Sequence, residues 1–356
     1  MRKFAFFLPQ FHSIPENDEW WGKNFTEWTN LEKALSLYKG HCIQTPLNHN
    51  YYNLLDKKTV EWQTNLMNNY RIDGLIYYHY YFSGHLLLEK PAENLLRWKE
   101  IDQPFFFCWA NHSWKRTWNG ESTVLMEQTY GNEEQWNQHF EYLLPFFKDP
   151  RYEKKDNKPL FMIFLPLFDE KQDMMQFFDK KCKENGFDGI CVIESNNEYA
   201  KQIDIQYPTH YLFQRQASAA LNLYNGNNRF SFGRIFRKMK REVARFTKMG
   251  IPFSNYNGDT LFKLMIKNVN DDKRVIPGLA FRWDNTPRHK ERGYIITSPS
   301  KENFIKYMDK IKDSEYVFIN AWNEWCEGMV LEPTEQEGYK YLEWIKEWSE
   351  DIDSKN

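Results

Sequence analysis

Short apolar segments alternate with amphipathic stretches along most of the chain. Continuous apolar runs predict buried strands, whereas apolar residues at three- and four-residue spacing predict helices. Eight strands are predicted, which are Phe4–Leu8, Gly74–Phe82, Phe105–Trp109, Leu160–Leu165, Gly189–Glu194, Thr209–Phe213, Val275–Arg282 and Tyr316–Trp322. Helices are predicted over 52–70, 92–100, 132–147, 170–184 and 336–349. Asp56 is the expected N-cap of the first helix.

Strands that alternate with helices indicate a parallel sheet, because parallel neighbours need crossover connections. A count of eight favours a closed (β/α)8 TIM barrel over an open doubly wound sheet. We therefore predict a single α/β domain over 1–350 with long βα loops, followed by a C-terminal tail at 351–356. Residues 212–274 form a long excursion between the sixth and seventh strands.

Polar and aromatic residues follow the predicted strands. In a barrel these strand ends share one face, on which active sites are built. Contact with solvent would explain polar residues there but not tryptophans, so we predict that this face carries the site. The residues are Gln10, His12, Tyr78, His79, Tyr80, Trp109, Asn111, His112, Trp114, Glu194, Asn196, Arg282, Trp283, Asp284, Asn323, Glu324 and Glu327.

The strongest candidate for chemistry is a pair of glutamates after the eighth strand. Glu324 and Glu327 lie three residues apart among Trp322, Trp325 and Cys326. Apolar surroundings raise the pKa of a carboxyl group, and a second carboxylate nearby raises one of the two further. One acid then stays protonated near neutral pH while the other is ionised, which is the division that glycosidic bond cleavage uses. The plainer alternative is two ordinary surface glutamates in a loop.

Composition supports a carbohydrate ligand. Aromatic residues make up 18% of the chain, including 14 Trp and 21 Tyr, and such rings stack on sugars or bases. The formal net charge of -2 argues against a nucleic-acid partner. An oligo- or polysaccharide is therefore the expected partner, and the sequence leaves the oligomeric state open. Candidate substrate-binding residues are the strand-end positions without His112 and the catalytic candidates Glu324 and Glu327, together with Glu27, Trp28, Trp118, Glu127 and Trp325.

Other site chemistries find no support in the sequence. GxGxxG, P-loop, HExxH and GxSxG motifs do not occur in it, so we expect neither a cofactor nor a metal site. The five cysteines form no Cys-x-x-Cys pair, which fits a reducing compartment. Phe4–Leu8 is shorter than the core of a signal peptide, about 7 to 15 residues. We therefore expect a cytoplasmic location.

Residues 229–249 within the excursion are basic and carry apolar residues at helical spacing. One interpretation is a barrel-flanking helix with a solvated basic face. The other is peripheral contact with an anionic inner-membrane surface, or with a phosphate-bearing substrate.

Several segments resemble the WbsX family, which is usually named as glycosyltransferases of bacterial surface-polysaccharide clusters. The resemblance runs in order from about residue 4 to residue 345. The matching segments are Asn24-Phe-Thr-Glu-Trp28, Asp73-Gly-Leu-Ile-Tyr-Tyr-His-Tyr-Tyr-Phe82, Leu88-Glu-Lys-Pro91, Cys108-Trp-Ala-Asn111 and Phe146-Phe-Lys-Asp-Pro-Arg-Tyr152.

That family is similar in turn to glycoside hydrolase family 99, the endo-α-mannosidases, which are (β/α)8 barrels. Asn323-Glu-Trp-Cys-Glu-Gly328 matches their Asn-Glu-Trp-x-Glu-Gly signature. The resemblance implies retention of configuration through a 1,2-anhydrosugar. Glu324 would take the proton from the sugar 2-hydroxyl, and Glu327 would protonate the departing oxygen and later activate water or an acceptor. Cys326 occupies a position at which the hydrolases often have His. The substrate or the pKa of the acid is therefore not carried over from the resemblance.

Three functions stay open. The leading hypothesis is a glycoside hydrolase or transglycosylase that uses the Glu324/Glu327 pair. The second is a glycosyltransferase of lipopolysaccharide or capsular polysaccharide biosynthesis. The third is a non-catalytic carbohydrate-binding barrel, which the intact glutamate pair argues against.

Overall fold

The computed structural model describes residues 1–118, 121–199, 205–227 and 254–355. Eight parallel strands form a closed barrel in it. They are β1 (Arg2–Phe7), β2 (Gly74–Phe82), β3 (Phe105–Trp109), β4 (Lys158–Ile163), β5 (Cys191–Asn196), β6 (Thr209–Gln214), β7 (Val275–Ala280) and β8 (Tyr316–Asn320). Each strand pairs with the next in sequence. The ring closes where Arg2 of β1 lies opposite Tyr316 of β8. The predicted (β/α)8 barrel is therefore confirmed.

Helices surround the barrel and also fill its loops. They are α1 (Pro15–Trp21), α2 (Glu27–Glu32), α3 (Lys57–Asn69), α4 (Lys90–Arg97), α5 (Glu133–Phe147), α6 (Lys171–Glu184), α7 (Gln216–Asn227), α8 (Gly258–Lys267), α9 (Thr286–His289), α10 (Lys301–Ile311) and α11 (Lys340–Lys355). Asp56 caps α3, since its side chain accepts a hydrogen bond from the Lys58 amide.

Short strands and turns complete the loops. The strands are His85–Leu87, Trp114–Trp118, Glu121–Met126, Lys154–Lys155, Ser254–Tyr256, Trp283–Asp284, Tyr294–Ile296, Asn323–Glu324 and Met329–Val330. The 3-10 turns are Leu47–His49, Lys290–Arg292 and Trp325–Glu327. Asn323–Glu324 pairs with Met329–Val330 in an antiparallel hairpin directly after β8.

Aromatic rings fill the interior of the barrel. The rings of Phe4 and Phe106 lie 5.3 Å apart, and those of Phe6 and Phe213 lie 5.4 Å apart. Phe318 contacts Phe106 and Phe213 at 5.5 and 5.3 Å. All five side chains are buried. Much of the phenylalanine content therefore forms a packed core beneath the carboxyl ends of the strands.

The structure corrects several predicted boundaries. β8 ends at Asn320 rather than Trp322, because the chain turns there toward the hairpin. The last helix runs to Lys355, so most of the expected tail at 351–356 is helical. The excursion at 212–274 contains α7 and α8, which the sequence analysis did not predict. The basic stretch 229–249 lies outside the described residues.

None of the helices in the described part of the chain combines the length and apolar character that a membrane crossing requires.

Candidate active site

A cavity of about 790 Å³, here called the central cavity, opens at the carboxyl-terminal face of the barrel. Residues at or just after seven strands line it, including Leu8 after β1 and Asn320 at the end of β8. Predicted site residues that line it are Gln10, Glu27, Tyr78, Tyr80, Trp114, Arg282, Trp283, Glu324 and Glu327. The structure therefore brings both glutamates to one concave site, and their roles stay a prediction.

The hairpin after β8 holds Glu324 in place. The Asn323 side chain accepts a hydrogen bond from the Leu8 amide at 2.8 Å and donates to the Leu8 carbonyl at 3.1 Å. It also donates to the Tyr52 hydroxyl at 3.2 Å. This side chain ties the hairpin to the end of β1. We infer that the asparagine before Glu324 positions the glutamate rather than binding substrate.

A tight turn places Glu327 three residues further on. Gly328 has a φ of 62°, in the left-handed region that favours glycine. A Cβ atom there would lie 2.9 Å from the Cβ of Asp284. The Cys326 amide donates to the Glu27 carboxylate and its thiol to the Glu27 carbonyl, both at 3.2 Å. Cys326 therefore fixes the turn against α2.

Burial governs the ionisation of Glu324, whose residue is 6% exposed. Burial, and then the nearby charge of Glu327, raises the pKa of Glu324 to about 8. A hydrogen bond from Tyr78 and the charge of Arg288 offset part of that rise. Burial and the neighbouring carboxylate therefore favour the protonated form of Glu324.

Arg288 on α9 joins two carboxylates of the central cavity. It donates hydrogen bonds to Glu327 and to Glu27, the latter at 2.7 Å. Burial raises the pKa of the Glu327 carboxyl, and the charge of Arg288 counteracts that rise. Burial lowers the pKa of Arg288, but the attraction of Glu27 and Glu327 outweighs it and holds that pKa above its usual range. We infer that the proton shared by the two catalytic candidates lies on Glu324.

Aromatic side chains form part of the cavity wall. Trp283 stacks on Tyr294 with centroids 5.6 Å apart and an interplanar angle of 7°. Trp114 makes an edge contact with Tyr80 at 5.2 Å. The indole nitrogen of Trp283 is buried without a hydrogen-bond partner among the described residues. Flat rings with an unused donor suit a ligand with apolar faces and hydroxyl groups, such as a sugar.

Three candidates on β2, on β3 or just after β3 form structural contacts outside the cavity. His79 pairs with His139 of α5, with ring nitrogens 2.8 Å apart. Trp109 donates its indole N–H to the Tyr81 carbonyl. Asn111 exchanges two hydrogen bonds with the backbone of Leu165. None of the three lines the central cavity, because alternate side chains of a strand point to opposite faces.

Four further candidates brace the site from behind. Trp28 donates to the Tyr52 carbonyl, and Trp325 donates to the buried Glu332 carboxylate at 3.0 Å. Asp284 accepts hydrogen bonds from Thr286 and contacts His41 at 2.8 Å. Asn323 completes this set through its contacts with β1. These four residues do not line the central cavity, and their contact with substrate stays a prediction.

The remaining candidates are scattered. His12 is buried and its pKa is lowered by that burial. Glu194 pairs with Lys171 at 2.8 Å, and Asn196 caps the turn at Glu198. Glu127 is exposed at the end of a hairpin strand. The side chain of Trp118 lies outside the described part of the structure.

Sequence reasoning missed two arginines of the cavity. Arg215 directly follows β6, so the strand-end rule applied to that strand would have found it. Arg288 follows β7 by eight residues and lies beyond the Trp283-Asp284 pair that marks the end of the predicted strand. Its role depends on α9, a four-residue helix that no periodic pattern predicts.

Within the described residues, no group of three or more His, Cys, Asp or Glu side chains is arranged to hold a metal ion.

Sequence comparison finds relatives over almost the whole chain. Residues 3–345 match the model of the family described as Glycosyltransferase WbsX. A protein named WxcX, called uncharacterized, from Xanthomonas campestris pv. campestris strain B100 is 30% identical over 95% of this chain. WxcX of strain ATCC 33913 is 28% identical over the same share. The chain spans about half the length of these relatives, since the match covers 48% of each.

Solved structures share the fold at low sequence identity. A GH99 endo-α-mannosidase from Bacteroides thetaiotaomicron, solved with bis-tris propane, has a TM-score of 0.54 and 14% identity. The match covers 99% of this chain and 97% of that one. A structure titled glycoside hydrolase-like protein has a TM-score of 0.59 and 12% identity, covering 98% and 93% of the two chains. At such identities the likeness shows the fold.

Proposed function

Since the chain belongs to the Glycosyltransferase WbsX family, we propose that it is an enzyme that cleaves or transfers a glycosidic bond. The observation that carries the proposal is the buried Glu324, which shares the central cavity with an arginine-paired Glu327. One protonated and one ionised carboxyl group in a site with aromatic walls can donate and accept protons during glycosyl transfer. The preferred form of the proposal is a retaining, family 99-like glycoside hydrolase that acts on a bacterial or host glycan.

The order of proton transfer is part of the proposal. The family 99 resemblance makes Glu324 the base toward the sugar 2-hydroxyl and Glu327 the acid. In the free protein, however, burial and the charge of Glu327 raise the pKa of Glu324, which favours the proton on Glu324. The roles from the resemblance therefore require that substrate binding move this proton to Glu327. The opposite order, with Glu324 as the acid, requires no such transfer.

Substitution of each glutamate tests the proposal. The screen uses manno-, rhamno- and galacto-configured oligosaccharides, and NMR follows new reducing ends or transfer products. We expect Glu324→Gln and Glu327→Gln each to lower turnover by about 10²- to 10⁴-fold while the melting temperature holds. Glu184→Gln, at an exposed position on α6, is the matched control. Full activity of either cavity variant would reject the role of the pair.

The leaving group separates the two orders of proton transfer. Loss of the general acid harms substrates with poor leaving groups and spares those with activated ones, whereas loss of the base harms both. With an α-mannosyl fluoride and an α-mannoside as the two substrates, the variant that keeps activity on the fluoride has lost the acid. If that variant is Glu324→Gln, the roles from the resemblance are reversed.

The family name supports a second candidate, a glycosyltransferase of polysaccharide biosynthesis. Calorimetry separates this function from the first. Binding of nucleotide sugars without binding of the oligosaccharides would favour the transferase, and the reverse result would favour the hydrolase.

A further inference from the structure

The end of β6 and the first turn of α7 contribute a continuous segment to the central cavity. Arg215, Gln216, Ala217 and Ser218 all line it. Burial lowers the pKa of Arg215, and the nearby Tyr78 and Glu324 act in the opposite direction. Arg215 is therefore close to both of these side chains. The segment is therefore near the glutamate pair, and the roles proposed for that pair do not use it.

The guanidinium of Arg215 is held firmly but is not fully used. Its Nε donates to the Ser195 hydroxyl at 2.7 Å, and its Nη2 donates to the Phe164 carbonyl at 3.4 Å. Its carbon atom lies 4.3 Å from the centroid of the Phe164 ring. A guanidinium has five N–H donors, so three have no acceptor among the described residues, two on Nη1 and one on Nη2. These two nitrogens form the end of the fork that binds an oxyanion through two parallel hydrogen bonds.

Arg215 also differs from the other arginines of the cavity in its charge partners. Arg288 pairs with Glu27 and Glu327, and Arg282 pairs with Glu337 at 3.2 Å. Among the residues that the structure describes, no carboxylate lies within 4.0 Å of the Arg215 guanidinium. Arg215 is half-buried, so its guanidinium loses part of its hydration without a carboxylate to compensate for it. A ligand anion would supply the missing partner.

The start of α7 adds further donors beside Arg215. This helix has 12 residues, and the amides of its first turn have no acceptor within the helix. The Gln216 residue is 1% exposed, and both polar atoms of its side chain lack a hydrogen-bond partner among the described residues. An unpartnered amide at the positive end of a helix is a second feature that favours an anionic ligand.

The net charge of the cavity permits such a ligand. Its described lining includes three carboxylates, those of Glu27, Glu324 and Glu327. It also includes four cationic side chains, which are Lys115, Arg215, Arg282 and Arg288. The cationic side chains of the described lining therefore outnumber its carboxylates.

We propose that Arg215 and the start of α7 bind an oxyanion of the substrate, so the glycan that enters the cavity is acidic. The shared chemistry is a carboxylate of an acidic sugar or a phosphate ester. The glycan part of this inference rests on the proposed function. The preference for an anion is a binding property and does not depend on turnover.

Calorimetry with three small probes tests the anion preference. Glucose is the neutral probe, glucuronate carries a carboxylate on the same ring, and glucose 1-phosphate carries a phosphate. We expect at least one of the two anions to bind about tenfold more tightly than glucose, as charge-assisted hydrogen bonds allow. The tighter anion identifies the source of the charge. Equal affinity for the three probes, or no binding of either anion, would overturn the proposal.

Variants of Arg215 locate the preference. Arg215→Gln should abolish it, and Arg215→Lys should weaken it because lysine lacks the fork. Lys312→Gln, an exposed position at the end of α10, removes the same charge away from the cavity and should leave the preference intact. An anion preference that survives in a folded Arg215→Gln protein would contradict the assignment. If that variant does not fold, Arg215→Lys decides, since an undiminished preference would also contradict it.

Because these measurements record binding alone, they fail separately from the proposed function. An enzyme that turns over neutral glycans and ignores both anions would keep the proposed function and lose this inference. A protein that prefers the anions but lacks turnover would keep this inference and lose the proposed function.

Discussion

Two buried glutamates of this protein, Glu324 and Glu332, both have a raised pKa but differ in their access to the central cavity. Burial raises the pKa of both, to about 8 for Glu324 and to about 7 for Glu332. Glu332 accepts hydrogen bonds from Gln63, Tyr52 and Trp325 at 2.7, 2.8 and 3.0 Å. Glu324 instead faces the central cavity beside a second carboxylate.

The difference shows that a raised pKa does not by itself identify a reactive group. Every oxygen of Glu332 is committed to the three donors that hold Tyr52 and Trp325 behind the site, whereas Glu324 can still exchange a proton with a ligand. Perturbed pKa values cluster at functional sites, but structural networks perturb them as well. Access to the cavity is therefore the criterion that separates the two glutamates.

Turnover should respond most strongly to this difference. Glu324→Gln should lower activity on a turned-over glycan by about 10²- to 10⁴-fold, because proton transfer is lost. Glu332→Gln should change it by less than about tenfold, since its effect passes through the position of Trp325. Kinetic assays of both variants at one pH give the comparison. Equal losses in the two variants would remove the distinction between the glutamates.

Stability should show the opposite order. Glu332→Ala leaves three buried donors without an acceptor, so we expect the free energy of unfolding to fall by about 3 kcal/mol. Glu324→Gln should leave it unchanged or raise it at neutral pH, because a carboxyl that is costly to ionise has been removed. Urea denaturation measures both values. A larger loss in Glu324→Gln than in Glu332→Ala would contradict this account of the network.

The pH dependence of stability should separate the two groups further. A carboxyl whose pKa is higher in the folded state than in the unfolded one stabilises the protein below its unfolded pKa. That contribution is lost as pH rises from about 4.5 to about 8 for Glu324, and from about 4.5 to about 7 for Glu332. Glu324→Gln should therefore flatten the stability curve between about pH 4.5 and about pH 8. Denaturation at a series of pH values would refute this if the slopes of variant and wild type agree.

The smallest expected effect concerns Tyr78, which hydrogen-bonds to Glu324 and so lowers its pKa. Tyr78→Phe removes that bond, so the pKa of Glu324 should rise by less than about one unit. The pH–activity profile should shift in the same direction. Tyr77→Phe, which removes a hydroxyl that bonds Gln103 outside the cavity, is the matched control. A shift in the control as large as that in Tyr78→Phe would show that the effect is not local.

The sequence predicted the barrel well because its strands are continuous apolar runs and its helices carry clear caps such as Asp56. It predicted the glutamate pair because two carboxyls among tryptophans stand out. It could not decide which aromatic residues of β2 reach the site, since Tyr78, His79 and Tyr80 are consecutive residues with polar aromatic side chains. The alternation of the strand turns Tyr78 and Tyr80 toward the cavity and His79 toward α5.

Long-range pairing explains the rest of what was missed. Arg288 acquires its role from Glu27, 261 positions away in sequence, and from Glu327. Glu332 owes its environment to Gln63, 269 positions away. Neither partnership follows from a local pattern, because each depends on how the loops of different βα units meet above the barrel.

The most direct test of the account is a carbon-13 NMR titration of the glutamate side-chain carboxyls, compared between wild type and Glu324→Gln. We expect a carboxyl signal that titrates near pH 8, disappears in the variant, and moves when a bound sugar occupies the central cavity. The opposite result is a signal, lost in Glu324→Gln, that titrates near the ordinary pKa of a glutamate and does not shift with any bound sugar. That result would contradict the inference that Glu324 holds the proton of the glutamate pair.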